Sequence, residues 1–145
     1  MVNYRYQAGI GDVGSYQISG VPYATASFTV SALSNAPTAV NFPNVTKFVT
    51  VVNTHSGTNV ALRVGFSANG VTGSAAGGAG DYYFTLDNGD SYTGEWRVES
   101  IYVLSDTAGS ETSASVIAGL TGVATGSIPG NVAGTLNWSG STGVG

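Results

Sequence analysis

The chain has 145 residues, of which 8% are charged: four Lys or Arg, eight Asp or Glu, one His and no Cys, against 22 Gly. Without cysteine there is no disulfide framework, thiolate metal site or cysteine nucleophile, and a net charge of −4 with scattered cations argues against nucleic acid, which needs clustered ones. About a quarter of an ordinary soluble domain is charged, so this surface is expected to be covered by neighbours and to be poor in catalytic groups.

From the N-terminus, Met1-Val-Asn-Tyr-Arg-Tyr-Gln lacks the charged and then apolar regions of a secretory signal. No apolar stretch approaches the roughly 20 residues that span a bilayer, so the chain is expected to be made in the cytoplasm, without membrane insertion. One domain, 1–145, is expected, with a Gly/Ser-rich tail from about residue 139. The first β-type run is Ala24-Thr-Ala-Ser-Phe-Thr-Val-Ser31, followed by a loop in which Pro37 and Pro43 stop a ladder. Next, Val45 to Thr54 is almost wholly β-branched or aromatic. Asn53 to Asn59 supplies turn residues, and in Asn59 to Ser67 the apolar Val60, Leu62, Val64 and Phe66 alternate with polar or small residues. These two runs are expected to form a hairpin, with Arg63 pointing outward.

Gly70 to Gly80 has the composition of a flexible loop. Asp81-Tyr-Tyr-Phe-Thr-Leu86 is the next strand, and Asn88-Gly89 the strongest turn or hairpin signal, because both residues tolerate positive φ. Tyr92 to Leu104 is apolar on both faces, as expected of one strand between layers or at an interface. Ser113 to Thr121 fits a strand, with its alanines leaving a short helix open, and Gly134 to Ser139 offers a last short strand. Seven or eight strands without a fixed repeat predict an all-β antiparallel sandwich, a single jelly roll of about eight strands. Immunoglobulin-like and other Greek-key arrangements have similar strand counts.

The chemistry-bearing residues are few. His55 stands alone in a predicted turn, no Gly-x-Ser-x-Gly marks a nucleophile, and the Gly-rich stretches contain no phosphate-binding Gly-Lys-Ser/Thr. Asp87, Asp90, Glu95 and Glu99 suggest a calcium loop or a carboxylate pair, but Asp87-Asn-Gly-Asp90 is too short for an EF-hand and fits a turn. No catalytic, cofactor-binding or metal-ligating residue is therefore nominated, and no enzyme activity or cofactor is expected. Tyr82, Tyr83, Tyr92, Trp96 and Tyr102 suit core or interface packing, or a sugar-stacking face. The sequons at Asn44 and Asn137 would matter only in a secretory compartment.

From Val45 to Thr121, the blocks Val-Val-Asn-Thr, Asn-Val-Ala-Leu-Arg-Val-Gly-Phe-Ser, Tyr-Tyr-Phe-Thr-Leu-Asp-Asn-Gly, Trp-Arg-Val-Glu-Ser-Ile-Tyr-Val-Leu-Ser and Ser-Val-Ile-Ala-Gly-Leu-Thr carry a resemblance. They are similar to the single jelly-roll penton, or vertex, proteins of the nucleocytoplasmic large DNA viruses. The resemblance implies a homopentamer at each fivefold vertex of an icosahedral capsid, in contact with the major capsid protein and other minor capsid proteins. It also implies a virion protein assembled in the host cytoplasm. On this reading Arg63, Arg97, Glu95 and Glu99 are expected to register neighbours. The alternative is a carbohydrate-binding or adhesive β-sandwich module, such as a viral spike or head decoration domain, with Tyr82, Tyr83, Trp96 or Trp138 lining a groove.

Overall fold

In the computed structural model, which describes residues 20–76 and 80–126, the β-branched and aromatic runs form nine strands. These are β1 (Val21–Ala24), β2 (Phe28–Val30), β3 (Thr38–Asn41), β4 (Asn44–Asn53), β5 (Leu62–Gly65), β6 (Tyr83–Leu86), β7 (Ser91–Gly94), β8 (Ser100–Ser105) and β9 (Thr112–Ala124). Their order is β1-β9-β4-β7 in one sheet, with β2 also on β9, and β3-β8-β5-β6 in the other. All pairings are antiparallel.

The two short strands β1 and β2 share one edge of β9 and act as one interrupted strand, leaving eight functional strands. The first then pairs with the last, β3 with β8, β4 with β7 and β5 with β6. Such nested pairing is a long hairpin rolled up on itself, so the protein is an all-β sandwich of jelly-roll type. The interruption at Thr25 is patched chemically. Thr25 N donates to the Val116 carbonyl at 2.9 Å and Thr25 Oγ1 accepts from Val116 N at 2.9 Å, so β9 keeps its partners across the gap.

Period-2 alternation sets the core. Val49 and Val51 of β4, Val116 and Leu120 of β9, Leu62 and Val64 of β5, and Ile101 and Val103 of β8 interdigitate between the sheets, each at most 2% exposed. Each buried aliphatic side chain of this kind contributes roughly 1.5–3 kcal/mol relative to exposure. Aromatic rings close the two sides: Tyr23 lies edge-on to Phe42 at one side, and Phe66, Phe84, Tyr92 and Trp96 meet at the other.

The expected hairpin is not a hairpin, and the Asn88-Gly89 signal is a turn between sheets. Val45–Thr54 becomes β4 in one sheet and Asn59–Ser67 contains β5 in the other, and β6 and β7 are likewise split across the sandwich. Asn88-Gly89 is a turn with Gly89 at φ +81°, but it crosses between sheets. The apolar run Tyr92–Leu104 is two strands, because Glu95–Glu99 turn from one layer to the other. Ser113–Thr121 is strand throughout, within the 13 residues of β9.

Part of the expected loop Gly70–Gly80 is a short helix, α1 (Ala68–Thr72), followed by a 3-10 turn at Ser74–Ala76. Ser67 caps α1, its hydroxyl accepting from Gly70 N at 2.9 Å. The expected strand Gly134–Ser139, the Gly/Ser tail, Arg5, Trp138 and the Asn137 sequon lie outside the described residues.

Candidate assembly surfaces

The strand register sorts the charges. Seven of the nine strands carry no charged residue; the exceptions are Lys47 in β4 and Arg63 in β5. Charge is concentrated in the loops at the two ends of the sandwich. At one end, loops 31–37, 54–61, 87–90 and 106–111 come together with Asp87, Asp90, Asp106 and Glu111; at the other lie Asp81, Glu95, Arg97 and Glu99. Between the ends, the described strands carry only Lys47, half-buried in β4, and Arg63 of β5.

The outer face of the β1-β9-β4-β7 sheet is the clearest neutral surface. Thr50 of β4 stands between Ile117 of β9 and Thr93 of β7, and Val52 between Ser115 and Ser91. Ile117 is 46% exposed. The polar groups here are hydroxyls that hydrogen-bond one another: Thr50 Oγ1 with Thr93 Oγ1 at 2.7 Å, Ser27 Oγ with Thr54 Oγ1 at 2.7 Å, and Thr54 Oγ1 to Ser113 Oγ at 3.2 Å. Covering such a face removes no charge from water and breaks few hydrogen bonds to solvent, so the desolvation cost of contact is low.

The outer face of the opposite sheet is different, because α1 covers it. Arg63 points away from the core, as expected, but is only 5% exposed. Its Nε is ion-paired with Asp106, its Nη1 donates to the Thr72 carbonyl at 2.8 Å and more weakly to the Val71 carbonyl at 3.4 Å, and its guanidinium lies 4.1 Å from the Tyr83 ring centroid. Arg63 thus satisfies carbonyls at the C-terminal end of α1 and fastens it to the sheet. Arg63, expected to register neighbouring subunits, is tied within its own chain to Asp106 and the end of α1. Of the other three, Glu95 is exposed and Arg97 and Glu99 are half-buried. Glu99 accepts a hydrogen bond from Gly126 N at 2.7 Å.

Gly73 ends α1 at φ +78°, with the space for a Cβ already taken by Asp81, Arg63 and Tyr83. Asp81 in turn accepts from Ser74 N at 2.8 Å. Asp81, Arg63 and Asp106 are thereby engaged in holding one surface segment.

The acidic end is clasped by asparagines. Asn53 is fully buried; its Nδ2 donates to the carbonyls of Val60 and Leu86, both at 3.0 Å, and its Oδ1 accepts from His55 N and Thr112 Oγ1. Asn88 reaches across to Gly57, Thr58 and Val60, and Asn59 Nδ2 donates to Asp87 at 2.9 Å. Asp87 and Asp90 therefore belong to a hydrogen-bonded turn, with Asp90 N donating to the Asp87 carbonyl at 2.9 Å. His55 lies in the neighbouring loop, as expected, but is half-buried rather than solvent-exposed. No cluster of three or more His, Cys, Asp or Glu side chains with metal-binding geometry occurs among the described residues, and no helix among them is long and apolar enough to cross a membrane.

The aromatic segment does not form one platform. Tyr83 lies on the outer face beneath α1, whereas Tyr92 and Trp96 sit on the inner side of the β6/β7 margin, their rings stacked at 5.8 Å and 21°. Sequence inspection missed the margin itself, because it is made by two strands from different sheets. At the opposite margin, an open depression of about 270 Å³ lies between the interrupted edge strand and β3, lined by Tyr23, Thr25, Phe28 and Thr38–Asn41.

Comparison with protein-family models, curated proteins and solved structures yields no match to this chain. The class is therefore set by strand order: a β-sandwich of jelly-roll type.

Proposed function

We propose that the chain is a structural capsid subunit: the penton of an icosahedral double-stranded DNA virus, forming a homopentamer at fivefold vertices. Its partners are other copies of itself, the major capsid protein and other minor capsid proteins, and it acts in the virion by assembly, without turnover. The observation that carries this reading is that, among the described residues of a jelly roll, charge lies mostly in the loops at the two ends and every strand but β4 and β5 is uncharged. Around a closed ring every contact recurs at every copy, so any like-charge clash would recur too, and neutral flanks avoid it. The blocks that resemble penton proteins, Val45 to Thr121, correspond to β4 through β9 and so span both sheets. The divided aromatics favour packing over a sugar-binding groove.

Native mass measurement of the purified particle tests the proposal. A stable pentamer is expected. A chain that stays monomeric in the presence of the major capsid protein would overturn it.

A further inference from the structure

The two margins of the sandwich are built differently. On one side β6, Tyr-Phe-Thr-Leu, and β7, Ser-Tyr-Thr-Gly, are edge strands without charge or proline. Exposed edges are normally blunted by such devices because they otherwise recruit partners. The opposite margin is blunted: β1 carries Pro22, the edge is interrupted at Thr25–Ser27, and Pro37 and Pro43 bracket β3. A neighbour cannot readily zip a long strand onto that side. It has to pack by side chains instead.

A matching pair of features occupies the two margins. Tyr92 is 50% exposed on the β6/β7 side, although its ring stacks on Trp96 and lies 5.2 Å from Phe84. Trp96 is itself laid against the backbone at Gly94, where an added Cβ would fall 2.1 Å from the indole. A side chain held this way loses little rotamer freedom on being covered. On the other margin, the depression of about 270 Å³ has room for an aromatic ring, with Tyr23, Phe28 and Val40 as apolar walls and Thr25, Thr38 and Asn41 able to meet a phenolic hydroxyl.

We propose that copies of this chain associate head to tail, with Tyr92 of one copy seated in the depression between the interrupted edge strand and β3 of the next. A second copy is the occupant because each chain carries a half-exposed aromatic edge, Tyr92 on Trp96, at one margin and an open depression at the other, and no strand at either margin is charged. At a net charge of −4, identical chains meet at least electrostatic cost through such flanks. A contact between unlike patches propagates until it closes as a ring. With sheets about 10 Å apart and strands about 15–20 Å long, each margin offers on the order of a few hundred Å², below the roughly 800 Å² per partner of a stable pair. Isolated dimers are therefore weak, and closure, which gives every copy two contacts, stabilises the ring. The inference rests on the assembly proposed above and specifies its contact.

The chain has no cysteine, so the test is clean. Ser91→Cys, which leaves Tyr92 in place, and Ala39→Cys are made separately in the full chain, each checked by thermal melting, then oxidised alone and mixed. The expected result is a covalent dimer in the mixture, with at most traces in either variant alone. Tyr92→Ala is expected to weaken association about 30-fold or more, as for an interface hot spot, while melting close to wild type. Efficient dimers of Ser91→Cys alone would mean a twofold contact and overturn the head-to-tail geometry. No cross-link in a chain that still forms pentamers would overturn this contact and leave the capsid assignment standing; a monomeric wild-type chain would remove both.

Discussion

Replacing Arg63 with alanine should cost about 3 kcal/mol of stability. A hydrogen-bonded ion pair with one buried partner contributes roughly 1.5–3 kcal/mol, the bond to the Thr72 carbonyl about 1, and the guanidinium over Tyr83 about 0.5–1. The sum is discounted because the Asp106 side chain is 37% exposed and regains water when its partner is lost. For a domain of this length that is a fall in melting temperature of roughly 6–12 °C. Urea denaturation gives the free energy. Hydrogen exchange gives the location: the amides of Val71 and Gly73, which donate to Ser67 and Asn69 within α1, should lose protection before those of β9. Arg63→Lys should fall between, since an ammonium cannot fork to the carboxylate and the helix end together. If Arg63→Ala unfolds within about 0.5 kcal/mol of wild type, the guanidinium is not what holds α1 to the sheet.

Gly94→Ala places a Cβ 2.1 Å from the Trp96 indole and should cost about 1–3 kcal/mol by overpacking, with a loss of near-ultraviolet circular dichroism. Because the three atoms nearest the added Cβ all belong to the Trp96 indole, the double variant with Trp96→Leu should be less destabilised than the two single losses added. Asn53→Ala removes the amide bonds to the Val60 and Leu86 carbonyls and the acceptor of His55 N, leaving Val60 only its bond from the Thr112 hydroxyl, for about 2–4 kcal/mol in urea denaturation. Asn53→Asp should be worse, because it buries a carboxylate against those same carbonyls.

Much of the fold could be read from residue pattern, because burial between two sheets imposes strict alternation. Val60, Leu62 and Val64 face the core as their spacing predicts, and the long run after Thr112 is a strand. Pairing was less legible. In a jelly roll, sequence neighbours such as β4 and β5 sit across the core from one another, so a short turn such as Asn88-Gly89 does not signal a hairpin. The five residues of α1 are too few to show a helical period, and they include Asn, Gly, Val and Thr; Ser67 and Arg63 supply the stability that propensity does not. Arg63 shows the other limit. Alternation gave the face it points to, but only three dimensions show that a helix lies on top.

The clasp at the acidic end also bears on how this protein ages. Asn-Gly is the pair most prone to succinimide formation and deamidation, because a free glycine nitrogen can attack the preceding side-chain amide. Here Gly89 N donates to the Asn53 carbonyl at 2.9 Å, and the Asn88 amide is tied to the 57–60 loop at both its nitrogen and its oxygen. Ring closure needs those bonds to open first. One of the two Asn-Gly links in the sequence, the other being Asn69-Gly70, is thereby guarded by the acidic-end clasp, and isoaspartate accumulating at Asn88 would record how often that end of the sandwich comes undone.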